Sequence, residues 1–396
     1  MDKEVCYMAV ESMEKKSTMT KYVYSFGEGL PTPPLNRELL GGKGKNLAEM
    51  TSIGIPVPPG CIVTTEACLS FRNNKRRFPA GLEDEIVAAI KVLEEQMSAS
   101  FGDANTPLLV SVRSGARISM PGMMDTVLNL GLNDISVVGF AKTTSNERLA
   151  YDSYRRFIMM YSNVVHGVSH SAYEEALELL KTKENVEHDI EVSNSGLKDL
   201  CETFKAIHKE RTGEVFPQDP QEQVVGAVGA VFKSWDCNRA IAYRQFHQIP
   251  DDWGTAVNIQ AMVFGNKGTN SATGVGFTRN PSSGENNFYG EFLVNAQGED
   301  VVAGIRTPHP VNIYQKTMTN SDLGSLEEMM PECYKQLQDI GHKLEKHYKD
   351  MQDVEFTIDD GRLYMLQTRT GKRTGFSAIK IAAEMLKEGL IDEKTA

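Results

Sequence analysis

Three short segments of the sequence carry residues that could bind a polyphosphate. The first runs from Leu39 to Gly44 and contains a Gly-Gly-Lys-Gly core, with Lys43 between glycines, that leads directly into a predicted helix. Glycines let the backbone approach a phosphate closely, the helix N-terminus adds oriented N–H groups, and the lysine supplies a point charge. A surface turn with a solvated lysine has the same sequence pattern, so this motif alone leaves both interpretations open.

The second segment is a short apolar strand that ends in two arginines, Arg113 and Arg117. Their neighbours are serine, glycine and alanine, which are too small to shield the guanidinium groups. Forked guanidinium groups that project from the end of a strand suit phosphate recognition. A structural ion pair is the alternative function for both arginines.

The third segment is a predicted β-hairpin formed by residues 352–358 and 362–369. Side chains alternate along a strand, so Asp353 and Glu355 share one face of it. Two carboxylates in this arrangement offer hard oxygen ligands to an Mg²⁺ ion that bridges phosphates. Alternating polar residues on a solvent-exposed face would explain the same pattern.

The length of the hairpin loop decides whether Gln367 joins these carboxylates. A two-residue turn at 360–361 would pair Val354 with Gln367 and place the glutamine on the apolar face. A three-residue loop at 359–361 would instead pair Asp353 with Gln367. We predict the three-residue loop. The side chains that it brings to one side are Asp353, Glu355, Gln367 and Arg369.

Common nucleotide-binding motifs are not matched. A Walker A loop ends in Gly-Lys followed by Ser or Thr, whereas Gly44-Lys45 is followed by Asn46. The dinucleotide fingerprint G-x-G-x-x-G also fails, because Leu47 stands in the last position after Gly42 and Gly44. A nucleotide site in this chain must therefore be built another way.

Composition excludes several other classes of function. The net charge of −11 argues against a nucleic-acid partner, which would require a basic face. The six cysteines include no Cys-x-x-Cys pair, which indicates a reduced protein without structural zinc. No run approaches the roughly 18 apolar residues of a membrane span, and the first twenty residues resemble neither a transit peptide nor a secretory signal. We expect a cytoplasmic protein, with an organellar location left open.

The order of predicted elements indicates an α+β chain with several lobes. Alternating strands and helices come first, a helical stretch follows, and a mainly antiparallel β region with helices comes last. The predicted regions are a mobile extension (1–20), a first α/β lobe (21–132, completed by about 218–254), a helical lobe (133–217), a second, β-rich lobe (255–372) and the start of a helical connection (373–396).

Taken together and in this order, these segments resemble the N-terminal ATP-grasp region of pyruvate, phosphate dikinases. The matching stretches include LLGGKGKNLAEM, PLLVSVRSGARISMPGMMDTVLNLGLND and DMQDVEFTIDDGRLYMLQTRTGKRT. The resemblance covers nearly everything from about Tyr22 to the end of the chain. It implies an ATP-grasp fold of two lobes with an inserted helical lobe.

The resemblance also implies ATP as a substrate, Mg²⁺ as a cofactor and roles for individual residues. Lys43 and Arg113 are expected to hold the polyphosphate and to neutralise charge that develops during transfer. Asp353 and Glu355 are expected to bind Mg²⁺, and Gln367 to orient the phosphates. In such a transfer, positioning and electrostatics supply most of the catalysis.

Further expectations are less central. Arg369 is expected to assist Gln367, and Arg117 is the next candidate for nucleotide binding. The backbone of Met262 and Val263 is expected to contact adenine.

The family's reaction converts ATP, phosphate and pyruvate to AMP, pyrophosphate and phosphoenolpyruvate, through a histidine on a swivelling domain. That histidine follows a Gly-Gly-x-x-x motif, and none of the eight histidines here does. The family's pyruvate-binding (β/α)₈ barrel has no room in this sequence either. We therefore expect that this chain alone does not complete the reaction, and that a homodimer forms only in the full-length enzyme. The ATP module of a phosphoenolpyruvate synthase or related water dikinase, and a non-catalytic ATP-binding module, remain alternatives.

Overall fold

The computed structural model describes residues 20–304 and 306–396. The predicted mobile extension, apart from Thr20, lies outside the described residues. The strands are β1 (Val23–Phe26), β2 (Gly60–Val63), β3 (Ser100–Phe101), β4 (Pro107–Leu108), β5 (Val110–Ala116), β6 (Thr126–Leu130), β7 (Thr255–Ala261), β8 (Ala272–Phe277), β9 (Tyr289–Val294), β10 (His309–Pro310), β11 (Gln352–Asp359) and β12 (Arg362–Thr370).

Helices alternate with and separate these strands, which confirms the predicted α+β class. The helices are α1 (Arg37–Ser52), α2 (Thr65–Asn73), α3 (Leu82–Met97), α4 (Ser136–Thr144), α5 (Glu147–His166), α6 (His170–Glu184), α7 (Asn194–Thr212), α8 (Pro220–Ser234), α9 (Asn238–His247), α10 (Gly298–Ala303), α11 (Ile313–Thr319), α12 (Leu326–Met329), α13 (Pro331–Tyr348) and α14 (Gly375–Lys387). Over the described part of the chain, none of them combines the length and the apolarity that crossing a bilayer requires.

The first sheet has five strands in the order β1-β2-β7-β5-β6, and all neighbouring strands are antiparallel. Its central strand is β7, whose seven residues are all buried. The predicted second lobe began at residue 255, and this boundary is wrong for β7, because the strand pairs with β2 and β5. The sequence pattern identifies a buried strand but does not specify which sheet it joins.

The second sheet also has five strands, in the order β10-β9-β8-β11-β12. Helix α13 packs against it, so that Leu337 and Leu344 share a hydrophobic core with Val354 and Phe356 of β11. The predicted hairpin therefore forms one edge of this sheet, with β12 as its edge strand.

The helical stretch 133–217 does not form a core of its own. Its long helix α5 buries Phe157 and Ile158 in the same hydrophobic cluster as Val112 and Val257 of the first sheet. Alternate residues of a strand face the same side. One face of the first sheet is thus apolar and covered by helices.

Helix α1 lies against the opposite face of the first sheet and connects it to the second. Leu40 and Leu47 of this helix share a cluster with Ala256 of the first sheet and Val354 of the second. The side-chain amide of Asn46 donates a 2.8 Å hydrogen bond to a backbone carbonyl of β12. The helix that carries Lys43 is therefore held by both sheets.

Candidate functional site: a cationic cleft between two sheets

The glycine-rich segment breaks α1 at Gly41, which has φ 68° and ψ 175° within an otherwise helical run. A Cβ atom at Gly41 would lie 1.7 Å from the carbonyl oxygen of Gly115 on β5. Only glycine fits both this dihedral and this close approach. A new helical segment therefore begins at Gly42 and Lys43, after the break at Gly41. The N–H groups of a first helical turn have no hydrogen-bond partners within the helix.

A cleft of about 240 Å³ opens beside this restart, and both sheets contribute to its walls. Side chains of α1 and the loop after β5 form one wall, and the hairpin forms the other. The polar and charged residues that line it are Arg37, Lys43, Asn46, Ser114, Ser119, Thr126, Glu355, Gln367, Thr368 and Arg369. Four of the predicted site residues, Lys43, Glu355, Gln367 and Arg369, are thus brought around one space.

The ammonium group of Lys43 is in an unfavourable environment for a cation. Burial lowers the pKa of Lys43 to about 7, and the positive charges of Arg113 and Arg369 act in the same direction, while Glu355 opposes them. The neutral form of this lysine is therefore favoured more than in a solvent-exposed lysine. A bound anion would restore the proton, since an opposite charge nearby favours the charged form.

Arg113 lies beside Lys43 but does not line the cleft surface. Its guanidinium donates a hydrogen bond to the side-chain oxygen of Gln260, and its Nε is buried without a partner. Burial lowers the pKa of Arg113, and Glu355 acts against that shift. Among the described residues, the guanidinium is therefore held near the glycine-rich segment with part of its donor capacity unused.

Arg117 does not line the cleft. Its guanidinium carbon lies 5.3 Å from the centre of the Trp253 ring, and its Nε is buried without a partner. Cation–π contacts of this kind fix an arginine against an aromatic face. The predicted role of Arg117 in nucleotide binding therefore stays a prediction.

The hairpin loop differs from the one we predicted. Asp359 pairs with Arg362, so the loop has two residues, Asp360 and Gly361. Their φ values of 48° and 79° are typical of the type I′ turn, which an Asp-Gly pair favours. The three-residue loop was therefore a wrong prediction, because the preference of Asp-Gly for this tight turn prevails.

A β-bulge then changes the register between the loop and the site. Glu355 pairs with Gln367, whereas the next residue, Phe356, pairs with Met365, so that Leu366 is the extra residue on β12. The predicted pairing of Asp353 with Gln367 is wrong. The bulge nevertheless turns Gln367 to the side of the carboxylates, which a two-residue loop without a bulge would not do.

The polar residues of the hairpin are paired with one another. The Nε2 of Gln367 donates a 2.8 Å hydrogen bond to Oε1 of Glu355. The Nε of Arg369 lies 2.7 Å from Oδ2 of Asp353, which is buried apart from 9% of its surface. All four side chains thus lie on one side of the hairpin, next to Lys43.

Most of the chain matches a known family model. The family described as "Pyruvate phosphate dikinase, AMP/ATP-binding domain" matches residues 37–78, 74–331 and 314–390. The chain belongs to this family. The matched residues include both walls of the cleft, and therefore the hairpin.

Three curated relatives of this family are each named pyruvate, phosphate dikinase. The protein from Clostridium symbiosum is 56% identical over 379 residues, which are 96% of this chain and 42% of the relative. The protein from Rhizobium meliloti (strain 1021) is 54% identical over 379 residues, with the same two shares. The chloroplastic protein from Flaveria trinervia is 55% identical over 381 residues, 96% of this chain and 39% of the relative. The chain thus spans about two-fifths of the length of these relatives.

Met262 and Val263, the predicted adenine contacts, follow β7 directly and lie outside the cleft lining. The backbone N–H of Met262 donates a 2.9 Å hydrogen bond to the carbonyl of Leu109. Its thioether accepts a 3.0 Å hydrogen bond from the N–H of Asn129. The amide of Met262 is therefore engaged within the protein, and the adenine contact remains a prediction that rests on the remaining backbone groups.

Sequence reasoning missed three polar residues around the site in this dikinase-family chain. Arg37 and Asn46 line the cleft from α1, and Gln260 contacts Arg113 from the central strand. A signal existed for Gln260, because Asn258 and Gln260 are polar residues at alternate positions of an otherwise apolar strand. Burying a polar side chain without a hydrogen bond lowers the stability of the fold. A buried polar residue in a strand therefore indicates that it has a specific hydrogen-bond partner.

The carboxylates suit only one kind of metal site. Within residues 20–304 and 306–396, no group of three or more His, Cys, Asp and Glu side chains could hold a metal ion. Asp353 and Glu355 supply two carboxylates, which is the number that Mg²⁺ uses when waters and substrate phosphates complete its coordination. The donor set therefore fits an ion that arrives with a polyphosphate.

A second cavity, of about 510 Å³, lies at the other end of α1. The loop after β1, residues 51–57 and two side chains of β12 line it. Its charged lining residues are Glu28 and Arg362. It is larger than the cationic cleft, but it lacks the excess of cations that a polyphosphate requires.

Proposed function

We propose that this chain is the ATP-binding region of a pyruvate, phosphate dikinase with an ATP-grasp fold. The substrates would be ATP, phosphate and pyruvate, and the products AMP, pyrophosphate and phosphoenolpyruvate. The observation that carries the proposal is the convergence of Lys43, Glu355, Gln367 and Arg369 on one cleft in a chain of this family. ATP lies between the two sheets in this proposal, with its phosphates at the restart of α1.

Lys43 and Arg113 hold the phosphates from the first sheet. Both cations are desolvated in the free protein, as the lowered pKa values of the two side chains indicate. A polyphosphate supplies the negative charge that they lack, and hydrogen bonds to charged groups are about twice as strong as neutral ones. During transfer these cations stabilise the charge that develops on the phosphoryl oxygens.

Asp353 and Glu355 would hold Mg²⁺ from the second sheet, and the ion would supply positive charge that neutralises and orients the phosphates. Gln367 fixes the orientation of Glu355 through its 2.8 Å hydrogen bond. Arg369 pairs with Asp353 in the free protein. A metal ion on Asp353 would compete with that pair, and Arg369 would then be available to a phosphate.

The acceptor of the phosphoryl group is a histidine that we place on a domain outside these 396 residues. The residues of this chain therefore perform only the ATP-side transfer. The pyruvate-side reaction belongs to a barrel that we also place outside them.

The test is to add MgATP, phosphate and pyruvate to the purified chain, with and without a separately expressed carrier domain of the Clostridium symbiosum relative. We expect MgATP binding in both samples, slow phosphohistidine formation only with the carrier domain, and no phosphoenolpyruvate in either. Transfer should be slow because untethering the carrier forfeits an effective concentration on the order of 1 mM. Failure to bind MgATP at millimolar concentrations, or phosphoenolpyruvate formed by the chain alone, contradicts the proposal.

A further inference from the structure

Gln260 occupies the centre of the first sheet. It lies on β7, opposite Gly60 of β2 on one side and Ser111 of β5 on the other. Only 1% of its surface is exposed. A buried amide destabilises the fold unless both its donor and its acceptor are hydrogen-bonded, so its partners must account for its presence.

The orientation of the Gln260 amide is fixed by the backbone. Its Nε2 donates a 2.9 Å hydrogen bond to the carbonyl oxygen of Pro58, the residue two positions before β2 begins. A carbonyl oxygen only accepts, so the NH₂ group must face Pro58 and the side-chain oxygen must face the other way. That oxygen accepts the hydrogen bond from the guanidinium of Arg113.

Arg113 depends on this contact for its orientation. Its Nε has no partner, and in the described part of the chain no carboxylate lies within ion-pair distance of it. Among the described residues, the side-chain acceptor that holds its guanidinium is therefore the neutral oxygen of Gln260. A carboxylate at this position would neutralise the guanidinium, whereas an amide orients it and leaves its charge available to an anion.

We infer that Gln260 is a positioning residue that holds the Arg113 guanidinium in place for the phosphates of ATP. It acts through Arg113 and does not itself touch the nucleotide. The inference rests on the proposed function, because it requires that Arg113 bind phosphates. It extends the site to a residue in the interior of the first sheet.

The test is a double-mutant cycle on MgATP affinity, measured by calorimetry with the full chain. Gln260→Met keeps the length of the side chain and removes both polar atoms. We expect roughly tenfold weaker MgATP binding and AMP binding within about twofold of the wild type, because only ATP carries the phosphates that Arg113 holds. In an Arg113→Met background, the same change should cause no further loss.

Gln223→Met is the matched control. Gln223 is a buried glutamine on α8 whose amide bonds the backbone of Gly131 and Leu132, away from the cleft. Its replacement should lower the melting temperature about as much as Gln260→Met does, but should leave the ratio of ATP to AMP affinity unchanged.

The outcomes separate the two claims. If Arg113→Met leaves MgATP affinity unchanged, the assignment of Arg113 fails and the positioning role fails with it. If Arg113→Met weakens binding but Gln260→Met does not, or if the two losses are additive, the positioning role alone is overturned. Equal losses of ATP and AMP affinity in Gln260→Met would also overturn it, since they would indicate general damage to the fold.

Discussion

The two sheets face the same cleft with opposite electrostatic arrangements. On the wall formed by α1 and the first sheet, the cations are left unsatisfied: Lys43 has a pKa lowered to about 7, and Arg113 buries an Nε that has no partner among the described residues. On the second sheet, the charged groups satisfy one another. There, Arg369 pairs with Asp353 at 2.7 Å, and Gln367 bonds Glu355 at 2.8 Å.

This difference indicates which wall of the cleft favours the binding of an anion. Unpaired, desolvated cations lower the stability of the free protein, and an anion that binds between them removes that cost. The charged groups of the hairpin already have partners, so they must give up these internal contacts in order to bind a ligand. In the proposed site, α1 and the first sheet would therefore provide the affinity for phosphate, and the second sheet would provide geometry and the ligands for a metal ion.

The largest expected effect on MgATP binding comes from removing Lys43, the cation whose pKa is lowered to about 7. Lys43→Met should weaken MgATP binding by roughly tenfold or more, because a charge-assisted hydrogen bond is worth about 1.5–3 kcal/mol. Isothermal titration calorimetry measures this directly. Lys45→Met is the control, because Lys45 lies on the same helix but pairs with Glu49 at 2.7 Å and does not line the cleft.

Unchanged affinity in Lys43→Met, or an equal loss in both variants, would remove the lysine from the site. It would also contradict the proposed difference between the two walls, because α1 would then make no specific contact with the phosphates.

The next effect concerns pH. Lys43 has a pKa of about 7 in the free protein, and a bound polyphosphate raises that pKa. Below pH 7 the lysine is already protonated, and above it binding must take up a proton. MgATP affinity should therefore fall between pH 7 and pH 9, by up to about tenfold per unit.

Calorimetry in buffers of different ionisation enthalpy gives the number of protons taken up. Wild-type protein at pH 8 should take up a proton on binding, and Lys43→Met should take up none. The same uptake in both proteins would assign the titration to another group.

A moderate effect should follow from changes on the second sheet. Glu355→Gln keeps an oxygen for the hydrogen bond from Gln367 but removes one of the two negative charges available to Mg²⁺. We expect several-fold weaker ATP binding with Mg²⁺ and little change when the metal is chelated, because the variant affects the ligand set and not the phosphate contacts.

Asp360→Asn is the control for charge on the same hairpin, since Asp360 lies in the turn with a positive φ that asparagine tolerates. It should bind MgATP like the wild type. If Glu355→Gln weakened ATP equally with and without metal, Glu355 would not be a metal ligand.

A further effect is on the stability of the free protein. The unfolded chain binds a proton at Lys43 up to its ordinary pKa of 10.5, and the folded protein loses it near 7, so the free energy of unfolding should rise with pH across that window. Lys43→Met should abolish this rise and increase the melting temperature at pH 7.

Arg369→Met gives the opposite expectation. It breaks a partly exposed ion pair, so it should lower stability slightly, by about 1 kcal/mol or less. Chemical denaturation of both variants at pH 7 measures the contrast. Destabilisation by both substitutions to the same extent would contradict the claim that only the first sheet carries unsatisfied charge.

The sequence predicted much of this arrangement, because local signals were strong. Lys43 lies in a glycine-rich restart of a helix, and Asp353 and Glu355 share a strand face, as alternation requires. These features depend on a few neighbouring residues. The α+β class was predictable for the same reason.

Long-range pairing was less predictable. The sequence shows that residues 255–261 form a buried strand, but the choice of partners depends on packing across the whole chain, and the strand joins the first sheet. The helical stretch likewise shares its core with that sheet because Val112 and Val257 face it. Neither fact is encoded in a local pattern.

In the hairpin, two features that we did not predict offset each other, so that Gln367 still lies on the expected side. The Asp360-Gly361 pair forms a two-residue turn, and the bulge at Leu366 restores the side of Gln367. No turn residue such as Gly or Pro marks position 366, so the bulge could not be anticipated. The contact between Gln260 and Arg113 was missed because it joins residues 147 positions apart.

The most direct test is a crystal structure of the chain with Mg²⁺ and a non-hydrolysable ATP analogue. We expect the terminal phosphates to lie within hydrogen-bond distance of Lys43 and Arg113, the ion to be bound by Asp353 and Glu355, and Arg369 to have lost its contact with Asp353. Nucleotide bound in the larger cavity beside Glu28 and Arg362, with Lys43 and Arg113 unchanged, would contradict this expectation.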